Sequence, residues 1–198
     1  ITIPEGMRVD EIASIIDKEI DNDTFSYEEF MQLTKDSNFI SQLGLPIEIS
    51  NLEGFLFPDK YALTTDITAQ EAIEMMVKNF ISKVNVPFDY EDIIIASIVE
   101  REGYSSQDRP IIAGIIEKRL EEGWLLQTDA TLLYPIKDWK HELTEEDLKV
   151  DSPYNTYKVI GLPPTPICNP GLQSIQAAIN PQKTDYYYFI HYVNNKCE

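Results

Sequence analysis

The stretch Ile93-Ile94-Ile95-Ala96-Ser97-Ile98-Val99-Glu100-Arg101-Glu102-Gly103 runs from aliphatic residues into two acids and a glycine. Ile95, Ile98, Val99 and Glu102 fall at i, i+3, i+4 and i+7, the spacing of one apolar helical face. At about 100° per residue, Glu102 lies between Ile95 and Ile98 on the helical wheel, and Glu100 points roughly the other way. A carboxyl group on an apolar face loses hydration, and its pKa rises. An acid still protonated near neutral pH suits proton donation to a leaving oxygen. Gly103 offers a helix stop, so the face ends where a cleft can begin. The competing reading is a boundary glutamate that reaches water from the last turn.

Working outward, Ile1-Thr2-Ile3-Pro4 reads as a short strand and Glu5-Gly6-Met7 as a turn. Val9 to Glu19 carries Ile12, Ala13, Ile15 and Ile16 at helical spacing. Ser26 fits the N-cap of a helix through Leu33, with Glu29 completing a capping box. Residues 52–61, dense in aromatics around Gly54 and Pro58, suit a loop or edge strand. Thr68 caps a helix from Ala69 to about Val84, which Pro87 ends. A further helix runs from Arg109 or Pro110 to Glu122, before Gly123. Gln127 to Tyr134 reads as a strand or a turn into a short helix. Asp151 to Pro170 is too rich in Pro, Asn and Gly for a regular helix, and long loops of this kind are commonly functional. Ser174 to Ile179 reads as a short helix, and Tyr186 to Val193 as a strand.

The 198 residues, 43% hydrophobic and 11% aromatic, are those of a globular chain with one good core or two small ones. A net charge of -18 disfavours nucleic acid and anionic membrane surfaces as partners. No apolar run approaches the roughly 18 residues that span a bilayer, and no signal peptide is visible. The start at Ile1 marks the sequence as a fragment, so an N-terminal anchor or signal is compatible with it. Cys168 and Cys197 form no CxxC and have no histidine at metal-ligand spacing; whether they pair is open.

Nucleophilic triads are disfavoured. His141 sits in a charged stretch and His191 in a terminal strand, neither beside a Ser or Cys motif, and no GxSxG, P-loop or GxGxxG occurs. No metal or cofactor is expected. Carboxylate chemistry with aromatic and amide helpers remains. Glu53, Glu102, Asp129 and Asp151 lie in or beside turn-rich segments, and Tyr154, Asn155, Tyr157 and Asn169 lie in the long loop. Rings that stack and amides that bond hydroxyls suit a sugar chain. Residue by residue, each of these also fits ordinary turn chemistry.

Five motifs in order, LEGFLFPDKY at 52–61, ASIVERE at 96–102, LQTDATLLYP at 126–135, DSPYNTY at 151–157 and GLPPTPICNPGLQSIQAAINP at 161–181, resemble the MltG, or YceG-like, family of endolytic murein transglycosylases. The opening ITIPEG with its amphipathic helix resembles part of that family's LysM-like subdomain. The resemblance implies a mixed α/β (α+β) fold: a partial LysM-like α/β subdomain over residues 1–50, packed on a catalytic domain of helices and a modest sheet over 51–198. It implies a carbon–oxygen lyase that cuts peptidoglycan glycan strands between N-acetylmuramic acid and N-acetylglucosamine, leaving 1,6-anhydro-muramic ends. It implies an extracytoplasmic setting, a membrane anchor in the full-length bacterial protein, and wall-synthesis proteins as possible partners. The family's catalytic glutamate corresponds to Glu102. Glu53, Ser97, Glu100, Gln127, Thr128, Asp129, Tyr154, Asn155, Tyr157 and Asn169 are the expected substrate-binding residues. Arg101 or Arg109 would tune Glu102 or hold an anionic lactyl or peptide group.

A transglycosylase manages with one acid, because the sugar's own 6-hydroxyl replaces an activated water. Two alternatives stay open: a hydrolase pairing Glu102 with Asp129 or Glu53, and a non-catalytic glycan-binding or scaffold module. Three departures from the family pattern stand out, the first being that the opening part of the LysM-like region is missing. Thr165 replaces a more usual glycine, and the chain stops soon after the YYYFI stretch, where relatives usually continue.

Overall fold

The computed structural model describes residues 1–20, 24–189, 192–193 and 196–197. Its elements are α1 (Val9–Glu19), α2 (Tyr27–Leu33), α3 (Ser37–Gln42), α4 (Ala69–Lys83), α5 (Tyr90–Glu102), α6 (Asp108–Glu121), α7 (Asp129–Ile136), a 3-10 turn at Asp147–Lys149, α8 (Leu172–Ile179), β1 (Tyr192–Val193) and β2 (Lys196–Cys197).

Local chemistry explains the helix starts. Thr68 and Glu71 form a reciprocal capping box, with Glu71 N–H to Thr68 Oγ1 at 3.2 Å and Thr68 N–H to the Glu71 carboxylate at 2.9 Å. Ser26 accepts from Glu29 N–H at 3.3 Å, while its own hydroxyl bonds Glu28 rather than Glu29. Asp36 caps α3 through Asn38 and Phe39 N–H.

The centre of the molecule is α5. Every residue from Ile93 to Val99 is buried. The helix packs against α6, α7 and α8. It is therefore a helix buried all round, not one with a single inner stripe. Where α6 meets the segment after α8, a Cβ on Gly114 would lie 1.9 Å from the Gln182 carbonyl oxygen. Gly103 ends α5 with an ordinary negative φ of -82°, so it does not act as a left-handed stop. Its missing side chain instead makes room for Arg109, whose Cγ a Cβ would meet at 2.8 Å.

The expected α+β class is corrected. Among the described residues the fold is helical, and strand pairing is confined to the two-residue β1–β2 hairpin and two isolated bridges, Thr2 with Lys60 and Met7 with Asn169. The described residues hold neither the modest sheet nor a LysM-like α/β subdomain over 1–50. The Ile1–Pro4 strand ends after one bridge because Pro4 and Pro58 have no N–H to extend the ladder. Residues 27–42 fold as α2 and α3, and buried side chains from Ile3 to Ala178 form one continuous core. Tyr186 to Phe189 form no strand. Ile190 and His191, in the same expected strand, lie outside the described residues.

Candidate active site

Glu102 is the last residue of α5 and is half-buried. Burial, with the nearby Asp129 carboxylate, pushes its carboxyl up to about 7; the Ala130 N–H bonded to it and the Arg101 charge pull the other way. The N-terminus of α7 thus faces the acid. Gln127 turns the chain into α7 with a positive φ of 49°. Its N–H bonds the Thr156 carbonyl at 3.1 Å, and Thr128 N–H bonds Thr156 Oγ1 at 3.1 Å. These contacts fix the 151–170 loop against α7. Tyr157 from that loop donates its hydroxyl to Asp129. Glu102, Gln127, Asp129 and Tyr157 are so gathered on one rim, with Gln127 and Asp129 exposed.

Glu100 has a different environment. Its side chain is nearly buried, pairs with Arg109 Nη2 at 3.2 Å, and accepts the Gly171 N–H at 2.9 Å. Arg109 Nε also donates to Ser174 Oγ at 2.9 Å. The Glu100–Arg109 pair ties α5 to α6 and to the start of α8.

Glu53 forms a second buried acid, 5% exposed. It accepts from Tyr134 Oη at 3.0 Å, Val9 N–H at 3.1 Å and Asn169 Nδ2 at 3.0 Å. Burial pushes its carboxyl up to about 8, against the hydrogen bonds from Tyr134 and Val9 that favour the charged form. Asn169 is fully buried; its Oδ1 accepts Gly54 and Leu56 N–H, and its Nδ2 also donates to the Met7 carbonyl. Tyr154 stacks at a tilt on Tyr134, centroids 5.1 Å apart, and its hydroxyl meets Thr165 Oγ1 at 2.8 Å. Thr165 donates in turn to the Pro166 carbonyl, so it accepts from Tyr154. A glycine there would leave Tyr154 without this partner.

The other expected site residues are buried. Ser97 Oγ donates to Ile94 O at 2.7 Å and accepts Ile167 N–H at 3.0 Å. Asn155 Nδ2 bridges the Leu148 and Val150 carbonyls. Thr128 lies 4% exposed beneath the rim. Cys168 is a free buried thiol. Residues that the sequence reading passed over are Trp139 and Arg8. Arg101 lies over the Trp139 ring at 4.0 Å and Arg8 over it at 5.0 Å. No spacing rule points to this, because the contact joins segments far apart in sequence. Among the described residues no cluster of His, Cys, Asp or Glu is placed to hold a metal ion, and no helix is long and apolar enough to cross a membrane.

The buried central helix α5 thus delivers a half-buried acid to an open rim. The chain belongs to the YceG-like family, which matches residues 1–197. It is 35% identical to the endolytic murein transglycosylase of Bacillus subtilis, over 96% of this chain and 58% of that protein. It is 33% identical to the endolytic murein transglycosylase of Streptococcus pneumoniae, over 99% of this chain and 42% of that protein. It thus spans about half the length of these relatives. The crystal structure of a yceG-like protein from Listeria monocytogenes superposes with a TM-score of 0.80 at 33% identity, covering 98% of this chain and 69% of that one.

Proposed function

We propose that this chain carries the catalytic centre of an endolytic murein transglycosylase, with Glu102 as its single acid and base. The observation that carries the reading is a half-buried carboxyl, pushed up to about 7, at the end of the central helix and beside an exposed polar rim. The relatives' names supply the substrate class, peptidoglycan glycan strands.

In the proposed reaction, protonated Glu102 donates to the oxygen between muramic acid and glucosamine, and the C1–O bond breaks. The muramic 6-hydroxyl attacks the same C1. Its proton passes to the Glu102 carboxylate, which restores the acid. The products are a free 4-hydroxyl on one strand and a 1,6-anhydro ring on the other, and no water is consumed. Gln127, Asp129 and Tyr157 line the rim and orient the glycan. Ser97, Thr128, Asn155 and Asn169 hold the loops that form it, and Glu100 braces α5 through Arg109. We assign catalysis to residues 51–198, within a longer, membrane-anchored protein that works outside the cytoplasm alongside wall synthesis.

Asp129 supports a second reading, hydrolysis with two carboxyl groups, because its charge acts on Glu102. Digestion of purified peptidoglycan by the parent and Glu102→Gln proteins, with mass analysis of sugar ends, separates them. Anhydro ends from the parent alone are expected. Reducing ends would replace the transglycosylase with a hydrolase, and glycan binding without cleavage would replace it with a binding module.

A further inference from the structure

A cavity of about 410 Å³ opens beside Glu53, within the size range of small-ligand sites. Glu102 is not among its lining residues. The cavity lies between the start of α1, the segment after α2, the end of α7 and the 151–170 loop. Its charge is unusual for this molecule. The chain carries -18 overall, yet Arg8, Lys35 and Lys137 line this one cavity. Two acids share the wall. Asp10 is engaged by both Arg8, at 2.9 Å, and Lys137, at 3.1 Å. Glu53 is already surrounded by donors. Lys35 makes no ion pair among the described residues. Arg8 is 4% exposed, and its Nη1 is buried with no hydrogen-bond partner among the described residues. Arg8 Nη2 also pairs with Glu11 at 3.3 Å and donates to the Lys137 carbonyl at 3.2 Å, so the donors left over on this wall are Arg8 Nη1 and Lys35.

The cavity is also partly aromatic. Tyr134 and Tyr154 both line the cavity. Two ring faces inclined at 44° beside cations suit an amide chain ending in, or branching to, a carboxylate. The cavity also sits close to the proposed reaction centre along α7. Ala130 bonds Glu102 and Tyr134 bonds Glu53, four residues or about 6 Å of helix rise apart. An extended peptide crosses that distance in about two residues.

We propose that this cavity is a second site, which takes a carboxylate-bearing peptide through Lys35, Lys137 and Arg8. Its natural source is the acidic stem peptide on muramic acid, an assignment that rests on the glycan reading of Glu102. The site would then select strands by their peptide while the rim holds the sugar.

Calorimetric titration of the whole chain tests this with three probes: a disaccharide–tetrapeptide fragment of peptidoglycan, the free tetrapeptide, and the peptide-free disaccharide. Each is run on the parent, on Lys35→Glu, and on Lys35→Glu with Lys137→Gln. Both peptide-bearing probes are expected to bind the parent and to weaken about tenfold in the double variant, with the peptide-free disaccharide unchanged. Lys35→Glu alone, at an exposed side chain, keeps the test valid if the double variant folds poorly. Peptide binding that ignores both lysine changes, or no peptide binding by the parent, overturns the site. Lysine-dependent peptide binding in a protein that neither cuts nor binds glycan would keep the site and discard the glycan reading.

Discussion

The Arg101 guanidinium lies 4.0 Å from the centre of the Trp139 ring, and Trp139 Nε1 donates to Glu11 at 3.1 Å. The residue beside Glu102 is thereby tethered to Glu11 of α1, ninety positions away in sequence. Arg8 lies over the same ring at 5.0 Å. Trp139→Ala removes both cation contacts and the packing of a half-buried ring. It is expected to lower stability by about 1–2 kcal/mol, read by urea unfolding.

The pH profile of cleavage reports on Glu102. The reaction needs its protonated form, so the rate is expected to fall as pH rises through about 7. Arg101 favours the carboxylate, and Asp129 opposes it. Arg101→Gln is therefore expected to move the falling limb to higher pH, and Asp129→Asn to lower pH, each by about half a unit. Rates on soluble glycan strands between pH 5 and 9 check both signs. A limb that stays put in both variants would remove Glu102 as the titrating acid.

Glu53 makes stability depend on pH in the opposite sense to an ordinary surface carboxylate. Its folded carboxyl titrates at about 8, against an ordinary 4.5. Between those values the folded state keeps a proton that the unfolded chain has released. This contribution is complete below the unfolded value and is lost as pH rises to about 8. Glu53→Gln is expected to flatten the stability–pH slope in that window. It also turns an amide N–H toward a ring of donors, at a cost of about 1–3 kcal/mol. Thermal unfolding at pH 5, 6.5 and 8 reads both effects.

Glu100 and Glu102 should fail differently. Glu100→Gln leaves Arg109 without its buried partner, with an expected stability loss of about 3–5 kcal/mol. Activity per folded molecule should survive well below the lowered melting temperature. Glu102→Gln should leave melting nearly unchanged and reduce the rate by about 10²–10⁴-fold. Paired melting and turnover measurements separate a brace from an acid.

The helices were legible where local chemistry writes them. Val9–Glu19 has the bounds its periodicity implies, and Thr68 caps α4 as its spacing with Glu71 requires. α3 left no trace in the reading, because six residues are too few to display a period. Ile1–Pro4 has strand composition but finds only one bridge, since nothing within those four residues indicates that their partner is the Pro58-containing segment near Lys60. Glu100 shows the limit of the wheel. Pointing away from Glu102 is not pointing outward when the helix is buried on every side. The cluster around Glu53 joins residues up to 162 positions apart, Met7 and Asn169, a closure that only the folded chain contains.

The all-round burial of α5 also governs how this molecule tolerates change. A surface helix offers evolution a solvent face on which substitutions are nearly silent. Residues 93–99 offer none, so almost two turns leading to Glu102 are closed to drift. Amides in that span should exchange hydrogen only through global opening. The position of the acid is thus inherited from the integrity of the entire chain, and adaptation to new strands must come from the loops around it.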